Sequence, residues 1–232
     1  MTAFIFARGG SKSLRAKNIK PLAGKPLIAW TISVSLAVPK IERVVVSTDN
    51  PEIANVSLDY GAEVPFLRPS SLASDTAFEW DAWRHALEFI RDSEGVLPDP
   101  FISLPPTSPL RQPEDITACL DLYYQSDADM VIAVTEPHRN PWFNMVSSRE
   151  DGTLLPVNNV NGLVTRRQDA PKVFDMTTFA YVADPLHILT QRGVFSGRVR
   201  AIEVPVERAV DIDTPHDFEI AEFLMKKRLG QL

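Results

Sequence analysis

A single cysteine, Cys119, stands in the 232 residues, so no disulfide forms within the chain. Its apolar neighbours Ile116, Ala118, Leu120 and Leu122 read as the surroundings of a packed thiol in a reducing compartment rather than of a nucleophile. Long apolar runs are missing too. None approaches the roughly 18 residues that a bilayer span needs, and the opening MTAFIFARGG lacks the basic stretch and apolar core of a secretory leader. A soluble, cytoplasmic protein with no membrane contact is the expectation. Positive charge is not in excess: 24 Lys and Arg against 30 Asp and Glu leave −6, which excludes wholesale wrapping of nucleic acid but leaves room for a local basic site. The four histidines, His85, His138, His187 and His216, show no metal-ligand spacing. Neither the Walker pattern nor Gly-x-Gly-x-x-Gly occurs, which counts against a P-loop ATPase and a nicotinamide-dependent oxidoreductase. Internal repeats and low-complexity tracts are absent.

What is present is 44% hydrophobic residues, enough to bury a substantial core in one domain spanning residues 1–232. Short apolar runs recur at Ala3 to Ala7, Val44 to Ser47, Val64 to Phe66, Phe101 to Leu104 and Met130 to Val134. Consecutive apolar positions are the mark of strands covered on both faces. Helix-like spacing between them, at Leu27 to Ala37, Pro51 to Tyr60, Phe78 to Ser93, Pro113 to Gln125 and Pro215 to Leu229, predicts a three-layer α/β sandwich with a mainly parallel sheet. Three of these helices open on a proline, whose missing N–H costs nothing in a first turn. Trp80, Trp83, Leu87 and Ile90 fall on one helical face, as a core stripe does. From about 137 to 200 the pattern breaks into short extended pieces. Turn residues stand at Asp151-Gly152, Asn158-Asn159, Asn161-Gly162 and Ser196-Gly197, reading as a small insertion of antiparallel hairpins that forms a lid or a dimer contact.

Two segments carry chemistry. The first strand runs into Arg8-Gly9-Gly10-Ser11-Lys12, followed by Arg15, Lys17 and Asn18. Adjacent glycines allow a tight turn that presents backbone N–H groups to an anion, and the cations supply charge, so a polyphosphate fits; a solvated basic turn is the plain alternative. Asp211 and Asp213, two residues apart before a helix, project to the same side if extended and form a candidate metal pair. A hard divalent cation such as Mg²⁺, or Mn²⁺, takes one or two such carboxylates when a polyphosphate supplies the remaining oxygens. Helix capping is the competing reading of Asp213, and Asp49, just before Asn50-Pro51, is read mainly as a helix cap.

The string Ala7 to Lys12, with Lys17-Asn18-Ile19 and Pro21 to Leu27 after it, resembles the nucleotide signature of the CMP-sialic acid synthetases, or acylneuraminate cytidylyltransferases. The resemblance continues through Val46 to Asp49, Arg68-Pro69, Leu72 to Ala77, Pro106 to Arg111 and Asp211 to Pro215, in order along nearly the whole chain. It implies a nucleotidyltransferase-like fold, CTP as substrate and transfer of CMP to an acidic 2-keto-3-deoxy sugar within a homodimer. By position it implies that Arg8, Lys12 and Lys17 hold the triphosphate, with Gly9, Gly10, Ser11 and Asn18 in the same loop. Arg68, Asp75 and Ala77 fall in the region bordering the cytosine, and Asp211 and Asp213 match the metal site. Arg167, in Arg166-Arg167-Gln168-Asp169-Ala170-Pro171, matches the arginine that pairs with the sugar carboxylate, as bidentate chemistry requires. Tyr181 and Phe195 match aromatic positions of the sugar pocket, the latter reaching across from the partner subunit; core packing is the alternative for each.

The chain departs from that pattern on the acceptor side. Pro105 stands where a glutamine is common, Phe143 where a lysine is, and Thr177-Thr178 where Asn-Gly is. A less polar pocket favours a more deoxygenated or more acylated acid, of the legionaminic or pseudaminic type, over N-acetylneuraminate. A cytidylyltransferase for a 3-deoxy-octulosonate and a catalytically silent nucleotide-binding homologue are the remaining readings.

Overall fold

The computed structural model describes residues 1–158, 164 and 166–232. In chain order the strands and α-helices are β1 (Thr2–Phe6), β2 (Pro21–Leu22), β3 (Lys25–Pro26), α1 (Leu27–Leu36), β4 (Arg43–Ser47), α2 (Pro51–Asp59), α3 (Glu79–Glu94), β5 (Phe101–Ser103), α4 (Pro113–Gln125), β6 (Met130–Thr135), β7 (Val146–Ser148), β8 (Leu154–Pro156), β9 (Asp175–Ala183), α5 (Pro185–Thr190), β10 (Val199–Glu203) and α6 (Pro215–Arg228). Six strands form one sheet in the order β10-β6-β9-β5-β1-β4. The pairs β1–β4, β1–β5 and β10–β6 are parallel, and β9 runs antiparallel to both neighbours.

Alternation along the strands builds the layers. On β1, Ala3 and Ile5 face one side, where Val44, Val46, Ile102, Val131 and Ala133 join Ile28 and Ile32 of α1, Ile53 of α2 and Ile116 and Leu120 of α4. Phe4 and Phe6 face the other side and meet Phe101, Ile132 and the α3 stripe Trp80, Trp83, Leu87 and Ile90. The Trp83 ring lies 5.3 Å from that of Phe101 and 5.1 Å from that of Tyr181. A third cluster joins Leu14, Leu22 and Leu27 to Ile212, Phe218 and Met225, which docks α6 against the N-terminal loop. Cys119 is buried in the first cluster, and burial pushes its thiol up to about 12, as expected for a packed rather than reactive sulfur. No helix among the described residues is long and apolar enough to cross a membrane.

Two expectations need correction. Val64 to Phe66 is not a strand: this segment touches the sheet edge only through isolated bridges at Val45–Glu63 and Thr48–Leu67. The stretch from 137 to 200 does contain an antiparallel hairpin, β7–β8, turned at Asp151-Gly152 with Gly152 at φ +80°. It also supplies β9 to the middle of the main sheet and β10 to its edge, so hairpin structure is confined to its first part. The turns expected at Asn158-Asn159 and Asn161-Gly162 involve residues outside those described.

The parallel strands β1, β4 and β5 end on the same side, and the loops that follow them carry Ala7 to Lys12, Thr48 to Asn50 and Leu104 to Thr107. The carboxyl edge of such a sheet is where ligands bind.

Candidate active site

A cleft of about 550 Å³ opens at that edge. Its walls bring together Arg8, Ser11, Lys12, Lys17, Asn18, Arg68, Asp75, Ala77, Asp211 and Asp213, residues spread over more than 200 positions of sequence. Phe6, Leu72, Glu79, Pro105, Pro106, Thr107 and Thr178 complete it.

The N-terminal loop is fixed by backbone contacts. Asn18 donates from Nδ2 to the Arg8 carbonyl at 3.0 Å. The Gly9 N–H donates to Asp49 Oδ1 at 2.8 Å. Asp49 therefore tethers the N-terminal loop, and the cap of α2 is Asn50, whose Oδ1 accepts from the backbone N–H groups of Glu52 and Ile53. Glycine is required at position 9 for space: a Cβ there would stand 2.8 Å from Asn50 Nδ2. Gly9 and Gly10 shape the loop without lining the cleft, and a Cβ on Gly10 would meet open space.

The cations are held by carboxylates. Arg8 Nη1 stands 2.8 Å from Asp75 Oδ1, and Lys12 Nζ stands 2.5 Å from Asp75 Oδ2. Lys12 and Arg8 together hold the Asp75 carboxyl below the usual carboxylate range. The less exposed Lys17 donates from Nζ to the Ile212 carbonyl at 2.7 Å and lies 3.3 Å from Asp213 Oδ1, which ties the N-terminal loop to the Asp-x-Asp segment.

That segment is rigid for reasons independent of its carboxylates. The Ile212 N–H donates to the Thr107 carbonyl at 2.9 Å, and the Ile212 side chain is fully buried. The cap of α6 is Thr214 in a reciprocal box with Asp217, so the capping reading of Asp213 does not hold and its carboxylate is left to the cleft. Asp211 Oδ1 is buried with no hydrogen-bond partner. An orphaned carboxylate oxygen beside an exposed second carboxylate fits a hard divalent cation that also draws on phosphate and water oxygens. Among the described residues no group of three or more metal-ligating side chains gathers, so such an ion would depend on those further oxygens.

The Arg68 guanidinium, which also lines the cleft, is buried, bonded to the Ser47 hydroxyl and carbonyl and lying over the Phe6 ring. Burial pushes it down to about 10. Glu79, the first residue of α3, is exposed to the cleft yet encircled by protein. Loss of bulk water pushes its carboxyl up, with Trp83 and Arg68 opposing and Asp211 adding to the rise. Thr178 reaches the cleft because the β6–β9 register shifts between Ile132 and Ala133. Its Oγ1 is buried without a partner, as is Asn18 Oδ1.

Pro105 is positioned by Arg111, a side chain with no exposed surface to speak of. Its Nη2 donates to the Pro105 carbonyl at 2.7 Å, its Nη1 donates to Thr31 Oγ1 at 3.2 Å, and burial pushes it down to about 9. Glu79 and Arg111 were not singled out from sequence. Arg111 could have been found as the end of the Pro106 to Arg111 string, while nothing local marks Glu79.

The three sugar-side candidates lie elsewhere. Tyr181 is buried against Trp83 in the aromatic core and is not among the residues that line the cleft. Phe195 is 72% exposed. Arg167 donates to the His138 carbonyl and lines a separate cavity of about 380 Å³ with Arg139, Asn140 and Lys172.

Similarity to known proteins agrees with this geometry. The chain is 34% identical over 224 residues to post-translational flagellin modification protein B of Campylobacter coli, covering 97% of this chain and 94% of that protein. It is 32% identical over 227 residues to CMP-N,N'-diacetyllegionaminic acid synthase of Legionella pneumophila, covering 97% and 95% respectively. The fold superposes on the structure of CMP:2-keto-3-deoxy-manno-octonic acid synthetase complexed with CTP, with a TM-score of 0.72, 18% identity and 98% of each chain covered. The family model described as cytidylyltransferase matches residues 2–229, which span the glycine loop after β1, the Asp-x-Asp segment and every strand of the sheet, and the chain belongs to that cytidylyltransferase family.

Proposed function

We propose that this protein transfers CMP from CTP to the anomeric hydroxyl of a nonulosonic acid and releases pyrophosphate, and that its preferred acceptor is an acid of the legionaminic type. The observation that carries the reading is the convergence of Arg8, Lys12 and Lys17 with two carboxylates, one bearing an orphaned oxygen, across a single cleft. Cations facing a carboxylate pair are what a nucleoside triphosphate and its divalent cation need together.

In the reaction the anomeric oxygen forms a bond to the α-phosphorus as the bond to the β-phosphate oxygen breaks. Arg8, Lys12 and Lys17 neutralise charge on the leaving pyrophosphate, a role that is mainly electrostatic positioning. Ser11 and the loop backbone around Gly9, Gly10 and Asn18 complete the phosphate cradle, and Arg68, Asp75 and Ala77 border the nucleoside. When Mg²⁺ or Mn²⁺ is bound at Asp211 and Asp213 it supplies Lewis acidity to phosphate oxygens and a lower pKa for the anomeric hydroxyl.

The acceptor preference rests on Pro105, Phe143 and Thr177-Thr178. Of these, Pro105 and Thr178 line the cleft, Pro105 with no side-chain donor and Thr178 with one free hydroxyl. The relative named for legionaminic acid synthesis supports the same choice. In direct competition, N,N'-diacetyllegionaminic acid is expected to show the higher kcat/KM over N-acetylneuraminic acid by about tenfold or more, the scale of a few pocket contacts. A higher kcat/KM for N-acetylneuraminic acid would sink the acceptor assignment.

A cytoplasmic homodimer is part of this proposal. The 137–176 region exposes Phe143, Met145, Val146, Phe174 and Met176, apolar surface that a second copy would cover. In such a dimer Phe195 and Arg167, which do not line the cleft of their own subunit, serve the cleft of the partner copy. Light scattering is expected to give twice the chain mass of 25.9 kDa, and a monomer at micromolar concentration would contradict it.

A further inference from the structure

We infer that Arg111 is a positioning residue for the acceptor acid: from behind the cleft it fixes the Pro105–Ser108 turn, which joins the Thr178 wall to the Asp-x-Asp segment. The inference rests on the reading above, in which Pro105 and Thr178 face the acid.

The turn cannot hold itself. Backbone pairing of β5 with β1 ends as the Leu104 N–H donates to the Phe4 carbonyl at 2.9 Å. Pro105 and Pro106 follow and bring no N–H, so neither continues the ladder nor donates a bond across the turn. Two carbonyls and one hydroxyl secure it instead. The Pro105 carbonyl accepts from Arg111 Nη2 at 2.7 Å, the Thr107 carbonyl accepts from the Ile212 N–H at 2.9 Å, and Ser108 Oγ donates to the Thr178 carbonyl at 3.2 Å. Pro105, Pro106, Thr107, Thr178, Asp211 and Asp213 all line the cleft, whereas Arg111 is not among its lining residues. One short turn therefore sets where Thr178 stands relative to the two carboxylates, and Arg111 anchors its first residue.

Packing alone does not account for an arginine here. A buried guanidinium is ordinarily paired with a carboxylate. Arg111 is 1% exposed and makes no ion pair among the described residues; Asp115, four positions on, is bonded to Arg208 at 2.8 Å. The guanidinium lies over the Phe179 ring, its Nη1 donates to Thr31 Oγ1 at 3.2 Å and its Nε has no partner. A methionine would fill the same space without the cost of burying charge. What it would lack is the donor fork, and the shorter of the fork's two bonds goes to the turn.

The cations proposed to hold the nucleotide are secured by other contacts. Arg8 and Lys12 are paired with Asp75, and Arg68 is bonded to Ser47. Loss of Arg111 therefore falls on the acid and spares CTP.

The test is steady-state turnover of N,N'-diacetyllegionaminic acid by Arg111→Met and Arg111→Lys, paired with calorimetric binding of CTP without acceptor and with amide hydrogen exchange of the free protein. Thermal melts establish that each variant is folded. Arg111→Met is expected to raise the KM for the acid roughly 10- to 100-fold, the scale of a small misplacement in a reacting pair, with CTP affinity within about threefold of the unaltered protein. Arg111→Lys keeps the charge but cannot reach Pro105 and Thr31 together, and is expected to raise the KM for the acid by about threefold or more, less than Arg111→Met does. In both, the Ile212 amide is expected to exchange faster, since the Thr107 carbonyl that accepts from it stands on the released turn. An unchanged KM for the acid in either folded variant, a fall in kcat alone, as a smaller folded fraction would give, or an equal weakening of CTP would each overturn the inference. The parent reading fails separately, through CTP binding with no turnover of any nonulosonic acid by the unaltered protein. Unchanged Ile212 exchange in Arg111→Met would then still overturn the anchoring of the turn by Arg111.

Discussion

Asp211→Asn is expected to lower turnover about a thousandfold, because a carboxylate that holds the divalent cation contributes several kcal/mol of transition-state stabilisation. The substitution keeps size and shape and removes one negative charge. The fold around it does not rely on that charge: Ile212 is fully buried in the α6 cluster, its N–H is bonded to the Thr107 carbonyl, and Asp211 Oδ1 has no protein partner to lose. Thermal stability is therefore expected to hold or to rise slightly, since an unpaired and partly buried carboxylate is costly in the free protein. Steady-state pyrophosphate release and a thermal melt check both halves. Turnover within tenfold of the unaltered protein would mean that Asp211 does not hold the cation.

Lys17→Ala is the second large effect, expected at about 10²- to 10³-fold in kcat/KM, the scale of removing one preorganised donor from a developing anion. Lys17 differs from Lys12 in what it holds. Lys12 is 80% exposed at its side chain, whereas Lys17 is 11% exposed and bonded to the Ile212 carbonyl. In the proposed reaction its loss removes a cation from the pyrophosphate, and it also breaks the bond to the segment that carries Asp211 and Asp213. The second consequence makes it couple to Asp213, 3.3 Å away. The double variant Lys17→Ala with Asp213→Asn is expected to lose less than the product of the two single losses, since residues sharing a contact are not additive. Strict additivity in a double-mutant cycle would contradict the contact.

How much of this was legible in the sequence depends on whether the signal was local. β1, β4, β5 and β6 were readable because strands covered on both faces are apolar at every position. The proline starts of α2, α4 and α6 marked their first turns. β9 escaped because it begins with polar Asp175, Thr177 and Thr178 before turning apolar, and because antiparallel insertion between β5 and β6 leaves no local trace. β10 escaped because it is an exposed edge whose Arg200 reaches Asp127, so it reads as a charged loop. Charged edges discourage pairing with further strands, which is why they look unlike central ones.

The site divides in the same way. The phosphate loop and the Asp-x-Asp pair are short strings whose chemistry is in their residue types, and the fold brings them together through Lys17 and the Ile212 carbonyl. Ten of the residues expected from sequence line one cleft. Glu79 carries no local mark because Arg68 and Asp211, which act on it, are distant in sequence. Tyr181 packs its ring against Trp83 in the aromatic core, a contact that no local pattern in the sequence marks. Asp49 was misassigned by one position in its capping role, since Asn50 has the amide oxygen at the N-cap and leaves Asp49 free for Gly9.

The most direct measurement is ³¹P NMR of the protein with CTP, Mg²⁺ and N,N'-diacetyllegionaminic acid. The account predicts that the three CTP resonances give way to one phosphodiester resonance of a CMP-sugar and to pyrophosphate in equal amounts, dependent on the acid. Release of orthophosphate with CDP, or unchanged CTP across legionaminic, pseudaminic and N-acetylneuraminic acids under conditions where CTP binds, would contradict it.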